Sequence, residues 1–252
     1  MIELDVRLPR ITKTMAEGNT ASYEMKPVDA GYAIPLGNAM RRVLLSSLPG
    51  AAIISVLIEG VQHEFQDIPQ VKEDVTDLVQ QLKKVRLRSY ADRDIHIHLD
   101  ARGERRVIAG DISIPSTIEI VNPDLPIATL DNVQARLVMD MTVRTGRGFL
   151  SASVQAEQRS EGLPLGVILT DAIFSPVRHV NFTTSHMRVG GVTNRYDKII
   201  FEITTDGTIS PDEALRESAG ILCRQFAVFT NESFRLFVKV RGNYTRSSHG
   251  TE

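Results

Sequence analysis

The chain has 252 residues, 42% of them hydrophobic and 24% charged, with a formal net charge of -2 at pH 7 and a single cysteine, Cys223. Such a composition belongs to a folded chain with a sizeable core, and it excludes an internal disulfide and a disordered or membrane-spanning polymer. It also argues against a free-standing DNA binder, which grips phosphates through a basic excess. The start, "MIELDVRLPR", has no apolar secretory core, so no signal peptide is expected and the cytoplasm is the expected compartment.

Residues 11–29 read as a hairpin, with "ITKTM" and "ASYEMKPV" flanking the turn-forming "EGN". Residues 35–50, "PLGNAMRRVLLSSLPG", read as one short helix ended by Pro49 and Gly50. On a helical wheel Leu36, Met40, Val43 and Leu44 fall in one stripe with Ser47, suited to a core or a helix partner. Arg42 lies nearly opposite Met40 and shares the far face with Asn38 and Leu45, while Arg41 stands at its edge. At this level two readings of that face stay open. It is either a solvated face with one stray leucine, or a second interface with Arg42 as a multidentate anchor beside an apolar contact.

"AAIISVLIEGV" follows as a buried strand with a turn at Gly60. "QVKEDVTDLVQQLKKVRLR" has helical spacing at Val71, Val75, Leu78, Val79 and Leu82. "DIHIHLD" alternates, placing Ile95, Ile97 and Leu99 on one face and His96 and His98 on the other. Two histidines at i and i+2 of a strand suit a metal, but no convincing third ligand stands near them in sequence. Two solvent-facing imidazoles is the simpler reading.

Residues 105–160 read as short strands separated by turns, including "STIEIVNPD", "IATL" and "ARLVMDMTVR". "TGRGFL" places Gly146 and Gly148 around Arg147; no helix pattern follows, so a hairpin is expected rather than a phosphate loop. "LPLGVILTDAIFSPVR" is apolar-dense and reads as a loop or short helix. "VNFTTSHMRV" and "DKIIFEITTDG" read as strands joined by a turn at Gly190 and Gly191. The final helix is the best specified: Ser210 as N-cap, Pro211 in the first turn, and Glu213 completing a capping box. Leu215, Ala219, Leu222, Phe226 and Phe229 then repeat at intervals of four and three, a seam that Ile221 and Val228 widen. Cys223 has no histidine or acid arranged around it and reads as a packed thiol.

The organisation is nested. A hairpin and a helix open the chain, a strand pair and a helix close it, and a long, mostly β segment lies between. The expected fold class is α+β, a two-layer domain interrupted by an inserted mostly β domain.

"GYAIPLGNAMRRVLLSSLPG" closely resembles the amino-terminal signature of the bacterial DNA-directed RNA polymerase alpha subunit. The resemblance continues through "VKEDVTDLVQQLKKV", "GRGF", "PLGVILTDAIFSPV" and "DKIIFEITTDGTISPDEALRESAGIL", in order over roughly residues 20–230. It implies a discontinuous dimerisation domain (1–49 and 174–233) around an inserted domain (50–173), with 234–252 as a tail or the start of a linker. It further implies a homodimer that binds the beta subunit and then beta-prime, with omega and sigma in the larger complex and little direct DNA contact. On that resemblance the chain is a non-catalytic scaffold within a nucleotidyltransferase complex. It needs no cofactor of its own, the catalytic magnesium belonging to beta-prime.

By the same resemblance, Leu36, Met40, Val43 and Leu44 and Leu215, Leu222, Phe226 and Phe229 match helices packed across the dimer. Arg42, Leu45 and Lys83 match positions facing the large subunits, and Thr170 one facing beta-prime. There are departures. Pro35 stands where a threonine is usual, Thr170 where a branched aliphatic is common, and Arg159 where some relatives carry an acidic cluster used by activators. The basic tail "FRLFVKVRGNYTRSSHGTE" does not resemble the small DNA-binding module that usually follows in the family. A shortened chain and a member without that module both stay open. The competing reading is a small metal-dependent enzyme using His96 and His98, with Asp94 or the "GRG" turn nearby.

Overall fold

The computed structural model describes residues 9–158, 164–188 and 195–229. The opening hairpin forms as β1 (Arg10–Glu17) and β2 (Thr20–Asp29), reversed at Gly18, whose φ of 53° is one that glycine adopts without strain. Helix α1 (Ala33–Ser46) follows. The chain then runs through β3 (Pro49–Ile58), α2 (Val75–Leu82), β4 (Leu87–Ser89), β5 (Ile95–Arg102), β6 (Arg105–Ile108) and β7 (Ile118–Ile120). Next come β8 (Pro126–Leu130), β9 (Arg136–Arg147), β10 (Phe149–Leu150), α3 (Ala152–Gln158), β11 (Val167–Leu169) and β12 (Ala172–Ile173). Strands β13 (Val177–Arg188) and β14 (Arg195–Thr205) and helix α4 (Pro211–Phe226) complete the described chain.

The first and last segments build one antiparallel sheet, in the order β1-β2-β14-β13. Its central pairing joins residues far apart in sequence, with Tyr23 opposite Phe201 and Ala21 opposite Ile203. Strand alternation turns Ala21 and Tyr23, Ile199, Phe201 and Ile203 to one face, where they are buried. Helices α1 and α4 cover that face, with Leu44, Leu48, Val180 and Ala214 in the same core. Everything from β3 to β12 lies between these halves. A six-stranded sheet ordered β5-β9-β3-β4-β7, with β11 on the far end of β3, packs against α2 over a larger core. The expected α+β fold with an inserted mostly β domain is what forms.

Local sequence explains several elements. Ser210 Oγ accepts from the Glu213 N–H at 3.2 Å and Glu213 Oε2 accepts from the Ser210 N–H at 3.1 Å, the reciprocal cap read from the sequence. Asp74 Oδ1 caps α2 by accepting from the Asp77 N–H at 2.7 Å. Val75, Leu78, Val79 and Leu82 are buried as their spacing predicts. Val71 falls before the helix and bridges to Leu130 instead.

Four expectations change. "TGRGFL" is not a hairpin: β9 runs on to Arg147, pairing Gly146 with Gly50 of β3, and β10 turns away to pair with β12. Both glycines make room for Phe174; a Cβ on Gly146 would sit 2.7 Å from its ring, and one on Gly50 1.9 Å from its carbonyl oxygen. The apolar stretch after 163 forms two short strands rather than the expected loop or short helix, while a helix, α3, forms at 152–158 where strands and turns were expected. The buried stripe of α1 is also rotated. It runs through Ala33, Gly37 and Leu44, because Gly37 lies against Phe182, where a Cβ would stand 2.4 Å from the ring. Gly190, Gly191, Arg159 and the tail lie outside the described residues.

Candidate subunit-interface surfaces

Helix α1 is anchored at its entry by Asp197 on β14. Its Oδ2 accepts from the Gly31 N–H at 3.1 Å, and its Oδ1 lies 2.7 Å from His186 Nδ1. The His186 bond holds the Asp197 carboxyl below the usual carboxylate range, against the opposing pull of burial, and the Gly31 N–H adds to the lowering. With its inner stripe committed to the sheet, α1 presents two further surfaces.

One carries Leu36, 38% exposed, with Ile34 also exposed and Met40 and Val43 half-buried. Leu44 departs from its expected role: it is 0% exposed, enclosed by its own chain, and leaves nothing for a second copy to touch. Helix α4 packs beside α1. Its Leu215 and Leu222 are half-buried, whereas Phe226 is 60% exposed and Cys223 is open to solvent; in the 3-10 turn that follows (Ala227–Phe229), Val228 and Phe229, the latter 85% exposed, are open as well. The N-terminal end of α4 is fixed differently. Asp212 accepts from Lys13 Nζ at 2.6 Å and from the Tyr23 hydroxyl at 2.7 Å. Lys13 first, then Tyr23, hold the Asp212 carboxyl low. Burial, reinforced by Asp212, pushes the Tyr23 phenol well above its usual range.

The other surface carries the two arginines, which behave differently. Arg41 Nε donates to the Val180 carbonyl at 3.2 Å, tying it to β13. The exposed Arg42 guanidinium has no hydrogen bond or ion pair among the described residues. Leu45 is half-buried against the core, so only part of it is offered outward. At the end of α1, Gly148 comes so near that a Cβ there would lie 3.4 Å from the Ser46 carbonyl oxygen. The adjoining β10–β12 pair sets Phe149 opposite Ile173, both exposed. Ile173 in turn borders an open groove lined by Lys83, Lys84, Arg86 and Arg178.

Lys83 is the C-cap of α2, and its Nζ donates to Asp171 Oδ2 at 2.9 Å. Asp171 Oδ1 also accepts from the Ala152 N–H at 2.9 Å, which opens α3. That backbone bond, then Lys83, keeps the Asp171 carboxyl below its ordinary range. Thr170 is corrected by the structure. It is 1% exposed; its Oγ1 donates to the Ile53 carbonyl at 2.6 Å, and its own carbonyl accepts from Gln155 Nε2 at 2.7 Å. A hydroxyl is accommodated at this buried position because a carbonyl on β3 accepts its hydrogen bond. Thr170 supports this surface from beneath.

Sequence reasoning missed Phe149, Ile173 and Asp171. Their placement depends on a pairing between two-residue strands, which carries almost no periodic signal.

The histidines face outward as expected. His98 Nδ1 lies 2.8 Å from Asp140 Oδ1 and His96 Nδ1 3.3 Å from Thr142 Oγ1, each across from its partner on β9. Among the described residues no three His, Cys, Asp or Glu side chains gather as a metal site. No described helix is long and apolar enough to cross a membrane.

Known proteins place this architecture. A family model described as the RNA polymerase Rpb3/RpoA insert domain matches residues 56–175. The DNA-directed RNA polymerase subunit alpha of Roseiflexus sp. strain RS-1 is 50% identical over 219 residues, covering 87% of this chain and 66% of its own length. That of Herpetosiphon aurantiacus is 44% identical over 228 residues, covering 90% and 67%. That of Symbiobacterium thermophilum is 48% identical over 223 residues, covering 88% and 69%. The chain belongs to the family of DNA-directed RNA polymerase alpha subunits. It spans about two thirds of the length of these curated relatives.

Proposed function

We propose that the chain is a structural, non-catalytic subunit of a DNA-directed RNA polymerase, in the cytoplasm. Two copies pair through α1 and α4, and the pair captures the beta and then the beta-prime subunit. Omega and sigma join the larger complex, whose catalytic magnesium is held by beta-prime, and this part touches DNA little. The carrying observation is the helical layer over the four-stranded sheet. It exposes Leu36, Phe226 and Phe229, large apolar side chains that the other described residues do not cover. Exposed apolar surface on a two-helix layer suits a second copy of the same layer. The residues assigned to pairing are Leu36, Met40 and Val43 with Leu215, Leu222, Phe226 and Phe229.

Arg42, with Leu45 beside it, is assigned to the large subunits. A guanidinium with no partner among the described residues is ready for bidentate contact with a carboxylate. Lys83 contributes through the Asp171-braced groove. A twofold pair presents this surface twice, so one copy faces beta and the other beta-prime.

Sedimentation of the purified chain at micromolar concentration tests the pairing: a dimer is expected, and a monomer removes it. Arg42→Ala is expected to keep the dimer while weakening capture of the beta subunit in a pull-down. Normal reconstitution of core enzyme by that variant removes the assignment of Arg42.

A further inference from the structure

Two guanidinium groups from one edge of the inserted segment reach the turn that leads into α4. Leu87 is buried in the core of the six-stranded sheet, so alternation turns its neighbours Arg86 and Arg88 the other way. Arg88 Nε donates to the Thr208 carbonyl at 2.8 Å, and its Nη2 reaches the Gly207 carbonyl at 3.5 Å. Its Nη1 donates to Glu119 Oε2 at 2.8 Å, which holds the fork in place from its own side. Arg86 Nη1 stands 3.9 Å from Asp206 Oδ2, with both side chains largely buried.

The receiving turn is itself stiff. Asp206 Oδ1 accepts from the Thr208 N–H at 2.9 Å and from its hydroxyl at 2.6 Å, and the Asp206 N–H donates to the Pro176 carbonyl at 2.9 Å. Gly207 has a φ of 95°, and a Cβ there would meet Asn19 at 3.1 Å and Val121 at 3.3 Å. Asn19 belongs to the β1–β2 turn and Val121 to the inserted segment, so both halves of the molecule close on this one glycine. Three residues further on stands Ser210, the cap of α4.

We propose that Arg86 and Arg88 are positioning residues: a clamp at the start of β4, Arg86 just before the strand and Arg88 within it, that fixes the orientation of the six-stranded sheet relative to the four-stranded sheet and α4. Domains of one chain move against each other unless their junction resists it. A planar fork donating towards two successive carbonyls restrains direction as well as distance, which a single point charge does not. The clamp is independent of which partners the chain binds.

The test is a distance distribution between spin labels on the full chain, at Glu17→Cys and Arg106→Cys in a Cys223→Ala background. The labelled chain is refolded with excess unlabelled chain, so that distances within one copy dominate. In the Arg86→Ala/Arg88→Ala variant the distribution is expected to broaden roughly two-fold while secondary structure is retained. Arg88→Lys, which keeps the charge without the fork, is expected to broaden it less, and it serves alone if the double variant does not fold. An unchanged distribution in the folded double variant, or in Arg88→Lys where the double variant does not fold, overturns the clamp.

Discussion

The two sheets finish their cores differently. The described core over the six-stranded sheet holds 28 buried hydrophobic residues, while that between the four-stranded sheet and its helices holds 12. On its β5–β9 face the larger core is closed by its own chain, although elsewhere the inserted segment also exposes Phe65, Val133, Phe149, Leu165 and Ile173. Its outward residues on β5 and β9 are polar and paired: Asp94 with Arg144, His98 with Asp140, Asp100 with Arg102 and Arg136. The smaller one leaves Phe226, Val228 and Phe229 exposed on its helical layer. A face whose outward side chains are polar and paired gains little from a partner; a face that leaves apolar side chains exposed is built to gain from one.

The largest expected effect breaks the smaller core directly. Leu44→Ala removes a fully buried side chain and is expected to cost about 2–5 kcal/mol in urea unfolding. A loss no bigger than that of a surface change refutes its place at the centre of that core. Phe226→Ala sharpens the contrast, because it should weaken pairing by about 2 kcal/mol while leaving monomer circular dichroism unaltered. Sedimentation across a dilution series reads this, and an unshifted association constant counts against an α4 interface.

Thr170→Val probes the support beneath the docking surface. The Ile53 carbonyl loses its donor, so a destabilisation of about 1–2 kcal/mol is expected from thermal unfolding. Partner capture that fell far more than stability did contradicts its buried role. Asp197→Asn is expected to cost about 1 kcal/mol at neutral pH, through the Gly31 and His186 bonds. The folded carboxyl sits below the unfolded value near ~3.9, so this contribution is present above that pH and fades as pH falls through the folded value. Urea midpoints of wild type and variant should therefore converge in acid; a constant gap between pH 7 and 3 argues otherwise. Arg42→Ala should change stability by less than about 0.5 kcal/mol, since its guanidinium has no hydrogen bond or ion pair among the described residues. A clear drop in melting temperature reveals an intramolecular role instead.

Where local chemistry decides, residues read correctly from the sequence. Ser210, Pro211 and Glu213 start α4 because the cap is made within four residues. Ile95, Ile97 and Leu99 face inward because alternation is a property of the strand itself. The nested order of a hairpin and helix at each end announced an interrupted domain before β2 was seen beside β14. The ordered match to a known family points to Lys83, which no spacing singles out, and to Arg42, which the wheel also places on the outer face of α1; both stand as proposed contacts.

Where distant segments meet, only the tertiary structure decides. Leu44 and Leu36 look alike on a wheel, yet Phe182 and Gly37 set how α1 rolls on the sheet, enclosing one and exposing the other. Thr170 looks available until the Ile53 carbonyl takes its hydroxyl. Gly146 and Gly148 suggest a turn until Phe174, from another segment, fills the space above Gly146. Caps and alternation depend on bonds between near neighbours and survive in any context. Burial depends on which surfaces the fold lays together, and for these residues the partner stands far along the chain.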